Sequence, residues 1–115
     1  MMNSETDGVY DMEAALAAFG DEGVVREALE TYLKEAEGML SQMRQALLDN
    51  NLTEQKRIVH WLRGGLSYLH APRVRRACLK LDQQVDIDGP AKQEAFDELE
   101  REMRELESYV GSVTG

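Results

Sequence analysis

In the stretch VHWLRGGLSYLHAPR, residues 59–73, His60, Arg63, Gly64 and Gly65 stand close together. An exposed neutral imidazole has a free lone pair near neutral pH, so His60 can act as a nucleophile or carry a proton. Arg63 follows one helical turn later, where its guanidinium can hydrogen-bond a phosphoryl group on the histidine and offset its charge. The glycines are costly there. A helix-interior Gly is about 1 kcal/mol less favourable than Ala, so the pair costs about 2 kcal/mol. Gly64 makes sense if another macromolecule must approach the backbone, because it lacks the side chain that would hold a partner away. Gly65, nearer the apolar side, fits close packing against a neighbouring helix.

The element that positions these residues reads as a helix over 52–70, with Leu52, Val59, Leu62, Leu66 and Leu69 as its buried stripe. At about 100° per residue, His60 falls nearly opposite that stripe. Lys56, Arg57, Arg63, Gly64 and Ser67 lie within about 60° of it, at the spacings that make neighbours on a helix surface. The exposed face is therefore a histidine, three cations, a hydroxyl and a bare patch of backbone. Asn51, with Glu54 three residues on, reads as a capping box at the start of this helix.

The neighbouring segments are helical by the same spacing rule. YDMEAALAAF reads as a short helix ended by Gly20, and Asp21 as the N-cap of a long one. The long helix carries Val25, Ala28, Leu29, Tyr32, Leu33, Ala36, Met39, Leu40, Met43, Ala46 and Leu47 on one stripe. Pro72 and Pro90 suit the first turns of two more helices. Their stripes are Val74, Ala77, Cys78, Leu81 and Val85, then Phe96, Leu99, Met103, Leu106 and Val110. Met39, Met43 and Met103 fall on these stripes as core filling. No strand-like alternation competes. The expected fold is all-α: an antiparallel up-down four-helix bundle with a short additional N-terminal helix, one domain over 1–115, with 1–9 and 111–115 frayed.

A chain of 115 residues that is 43% hydrophobic can bury one modest core. It has no apolar run long enough for a membrane span, and the acidic start MMNSETDGVYD is not a secretory signal. The single cysteine, Cys78, fits a reducing compartment, so a cytoplasmic location and a monomer are expected. Net charge −9 argues against nucleic-acid binding. Yet residues 55–81 hold seven Lys/Arg and no Asp/Glu: Lys56, Arg57, Arg63, Arg73, Arg75, Arg76 and Lys80. That stretch reads as a basic island on an acidic molecule. His60 and His70 lack carboxylate or Cys partners at ligand spacing, so no metal site and no intrinsic cofactor are expected.

VHWLRGGLSYLHAPRVRRACLKLD resembles the histidine-containing phosphotransfer (HPt) domain of phosphorelays. The residues that carry the resemblance are His60, Leu62, Gly64, Ala71, Val74, Cys78 and Leu81, and the upstream segment AALAAFGDEGVVREALETYLKEAEGMLSQMRQAL resembles the family's leading helices. Four positions depart from the pattern: Arg63 stands for Lys, Gly65 for Ser or Ala, His70 for the Gly that ends the helix, and Asp82 for Glu. The resemblance implies a phosphocarrier rather than an enzyme. His60, not His70, accepts a phosphoryl group from the aspartyl phosphate of a receiver domain and passes it to another receiver. The acidic pocket and its Mg²⁺ belong to the receiver. Arg63 then stabilises phosphate, Gly64 allows close approach, and Lys56, Arg57 and Ser67 serve docking.

Two other readings remain open on the sequence. The same face can bind a receiver or another regulator without transferring phosphate, which the Lys-to-Arg change at 63 keeps in view. The chain can also be the phosphohistidine-bearing segment of a kinase. A self-contained hydrolase fits the sequence poorly, because no nucleophile–base–carboxylate set is visible.

Overall fold

The computed structural model describes residues 8–114. Five helices follow one another: α1 (Met12–Phe19), α2 (Glu22–Leu48), α3 (Leu52–Leu66), α4 (Pro72–Gln84) and α5 (Pro90–Thr114), with no strand among the described residues. α2 packs on α3, α3 on α4, α4 on α5 and α5 back on α2, with α1 against α2. The four apolar stripes face the middle of this ring. Met43, Ile58, Leu62, Leu81, Phe96 and Leu99 are each at most 1% exposed.

Local signals account for the helix ends. The Asp11 carboxylate accepts the Ala14 N–H at 3.0 Å and Asp21 accepts that of Val24 at 3.1 Å, each satisfying a first-turn donor. Gly20 closes α1 at φ 81°, a conformation open to glycine. Asn51 caps α3 through the Glu54 N–H at 3.1 Å. The reciprocal half of the capping box is absent. The Asn51 N–H is already taken by the Ala46 carbonyl at 2.9 Å, and the Glu54 carboxylate turns to Arg57 instead.

The structure corrects two expectations. α3 stops at Leu66, not at residue 70. The Ser67 hydroxyl donates to the Gly64 carbonyl at 2.8 Å, the chain turns, and His70 sits at φ 63° before Ala71 and Pro72 start α4. Second, the stripe of α3 omits Leu52, which is 40% exposed, and includes Ile58 and Gln55. Gln55 is buried because both ends of its amide are used: Nε2 donates to the Ala46 carbonyl and Oε1 accepts from Lys92 Nζ. Val9 is 2% exposed, the Gly8 carbonyl accepts the Arg73 N–H at 2.9 Å, and α5 runs to Thr114. Residues 1–7 and 115 lie outside the described residues.

Candidate phosphoacceptor site

Tyr32 sets the geometry of the site. Its hydroxyl donates to the Leu62 carbonyl at 2.9 Å, and its ring stacks on Trp61 with centroids 5.4 Å apart and planes 7° from parallel. This pins α2 to the buried side of α3. A Cβ on Gly65 would run into that same Tyr32 ring, so Gly65 is the close-packing glycine. A Cβ on Gly64 would meet nothing within 4 Å. The two neighbouring glycines thus have different physical reasons, and only Gly64 opens toward solvent.

His60 is exposed on α3 and has no hydrogen bond or ion pair among the described residues. Its ring nitrogens are therefore accessible to an incoming electrophile. Arg63, one turn on, donates from Nη1 to Asp82 Oδ2 of α4 at 2.9 Å. Lys56 pairs with Asp86 at 2.8 Å. Arg57 is held by Glu54 and by Gln42 Oε1. Ser67 is exposed, but its hydroxyl is spent on the end of α3. The structure brings His60, Arg63 and Gly64 to one face, with Lys56 and Arg57 one turn behind.

The cations of the basic island are mostly exposed, but most of them are paired with carboxylates. Besides the three cations beside His60, Arg73 is bound by Glu102 and Lys80 by Glu98, both on α5. Five of the seven cations are thus offset by carboxylates far away in the chain or one turn back. Among the described residues no group of three or more His, Cys, Asp or Glu side chains could hold a metal ion.

An exposed histidine without partners, a cation one turn on, an open glycine beside it and an all-helical scaffold agree with the resemblance carried by residues 59–82. The family model for the Hpt domain matches residues 27–109, well over half of the chain. The chain belongs to the Hpt domain family. No curated protein and no solved structure matches it. An Hpt domain works in phosphotransfer within two-component signalling and carries the group rather than catalysing a reaction of its own.

In this Hpt domain burial and pairing shift the titration of three groups near the site. Burial pushes the Cys78 thiol from its ordinary 9.0 up to about 12; Asp82 adds to the rise and Arg63 opposes it. Cys78 is fully buried, which makes its thiol inert. Burial also raises the Tyr32 hydroxyl, which stays a neutral donor to Leu62. On the exposed side, the hydrogen bond from Arg57 holds the Glu54 carboxyl below its ordinary 4.5.

The reading of the sequence missed the second wall of the site. A groove of about 620 Å³ runs between α2 and α3 beside His60, and α2 contributes Val24, Glu27, Ala28, Thr31 and Glu35 to it. The only available signal was Val24, an apolar residue off the buried stripe of its helix.

Proposed function

We propose that this Hpt domain is a phosphorelay carrier in which His60 is the phosphoacceptor. The observation that carries the reading is an exposed, unpartnered His60 with the open backbone of Gly64 one turn away. An unprotonated ring nitrogen attacks the phosphorus of a receiver's aspartyl phosphate. The N–P bond forms, the P–O bond to the aspartate breaks, and the electron pair leaves on the carboxylate oxygen. Arg63 swings from Asp82 to the phosphoryl oxygens, a charge-assisted contact that replaces an exposed pair worth about 0–1 kcal/mol. Such transfer needs positioning and charge stabilisation, and the receiver supplies the acidic pocket and Mg²⁺. Gly64 permits the approach, and Lys56, Arg57 and Ser67 border the docked face. We place the carrier in the cytoplasm as a monomeric single domain with an antiparallel up-down bundle, without nucleic acid or an intrinsic cofactor.

Incubation with phosphorylated receiver domains should label the protein with phosphate that is acid-labile and alkali-stable. His60→Gln should abolish the label in a folded protein, and His70→Gln should leave it. Undiminished labelling of folded His60→Gln protein would remove the assignment.

A further inference from the structure

The groove beside His60 has apolar walls that water reaches. Val24 is 46% exposed and Tyr68 55%, while Ala28 and Trp61 are half-buried. Two exposed carboxylates, Glu27 and Glu35, stand on its α2 wall, and no Lys or Arg lines it. Neither carboxylate has an ion-pair partner among the described residues. The cations nearest His60 are each engaged elsewhere. The uncompensated charge at the site is therefore negative and lies on α2, the reverse of what the α3 sequence alone suggests.

We propose that Glu27 and Glu35 select the partner: the groove docks a helix of the receiver domain whose apolar ridge is flanked by Lys or Arg. This rests on the carrier reading above. A channel between two packed helices accepts the side-chain ridge of a third. The apolar ridge covers Val24, Trp61 and Tyr68, and the flanking cations meet the two carboxylates. Rim charges of this kind decide encounter rate and partner choice more than total affinity, and they penalise a partner of like charge. The contact also orients the receiver. Its basic flank lies over the carboxylates of α2, so the uncompensated negative charge on that side of the histidine disfavours the reversed docking.

Trp61 lines the groove and is the single tryptophan of the chain, so its fluorescence reports occupancy. The probes are two synthetic helical peptides with the same apolar ridge, one flanked by Lys and one by Glu. At low salt the Lys-flanked peptide should bind about tenfold more tightly, an advantage that shrinks as salt rises. The double substitution Glu27→Lys, Glu35→Lys should reverse the preference while the helical circular dichroism persists, since both side chains are exposed. Equal binding of the two peptides, no response to the Lys-flanked peptide at millimolar concentration, or a preference that survives the double substitution would overturn the proposal. Labelling of His60 by a phosphorylated receiver is read separately. A labelled protein with an indifferent groove overturns this inference alone; an unlabelled protein with a selective groove overturns the carrier reading, and with it the receiver as occupant.

Discussion

Gly64 and Gly65 divide one sequence motif between access and packing. Gly65→Ala places a methyl group inside the Tyr32 ring, so the ring must move and loosen both its stack on Trp61 and its bond to Leu62. Overpacking of this kind costs about 1–3 kcal/mol, which a thermal melt measures. Gly64→Ala meets open space and should raise stability by up to about 1 kcal/mol. Gly64→Leu should melt normally yet transfer phosphate far more slowly per folded molecule. Early melting of Gly64→Leu with an unchanged transfer rate would reverse the two roles. A second residue-scale prediction concerns the paired departures Arg63 and Asp82. While Asp82 holds Arg63, it competes with a phosphoryl group for the same guanidinium. Asp82→Asn weakens that competition and should shift the transfer equilibrium toward phosphorylated His60 about threefold, a change within the range of one exposed pair. Asp82→Glu should stay near the original value. An equilibrium indifferent to Asp82→Asn would mean that Arg63 does not reach the phosphate. The exposure of His60 and the sidedness of the glycines were legible from helical phase alone. The engagement of Arg63 was not, because Asp82 belongs to another helix and periodicity carries no distance between helices.

α3 shows how far element boundaries follow from pattern. Its start was fixed by Asn51, whose cap is local chemistry that any helix entry needs. Its end was read four residues too late, because Leu69 continues the apolar spacing although it is buried from a turn rather than a helix. The break is made by Ser67 and by His70 in the left-handed region, with the His70 carbonyl accepting the Asp11 N–H at 2.8 Å. A β-carbon in that conformation costs about 1–2 kcal/mol. The half-buried His70 ring returns part of this through its edge-on contact with Phe19, centroids 6.4 Å apart. His70→Gly should therefore raise the melting free energy by about 0.5–1 kcal/mol and leave phosphate labelling intact. A lower melting temperature would mean that the Phe19 contact outweighs the backbone relief. The exposure of Leu52 and the burial of Gln55 were illegible for a related reason. Gln55 is held inside by Lys92, which arrives from α5, and no feature of residues 52–66 announces it.

Across the whole molecule, charge arranges itself by pairing between elements. Arg44 to Glu100 joins α2 to α5, Arg63 to Asp82 joins α3 to α4, and Lys80 to Glu98 joins α4 to α5. A cationic stretch on an acidic chain thus becomes a set of contacts around the bundle, leaving the surplus carboxylates to set the field. Beside Lys92, whose Nζ is held by Gln55 and the Val85 carbonyl, the interior keeps its acids neutral by burial. The Cys78 thiol is pushed from 9.0 to about 12, and the Tyr10 hydroxyl, buried against Tyr109 without a hydrogen-bond partner among the described residues, from 10.0 to about 12. The sign follows from which state binds more protons. Between the ordinary and the raised values the unfolded chain has lost these protons and the folded chain retains them, so folding stability falls as pH rises. The contribution is fully present below pH 9 and disappears progressively toward pH 12. Chemical denaturation at a series of pH values should give a stability that begins to decline near pH 9, where Cys78 is the first of these groups to deprotonate in the unfolded state. Cys78→Ala should lower stability at neutral pH by opening a small gap in the core, yet flatten the decline between pH 9 and 10. An unchanged slope in that variant would mean that the thiol is not shielded as its burial implies.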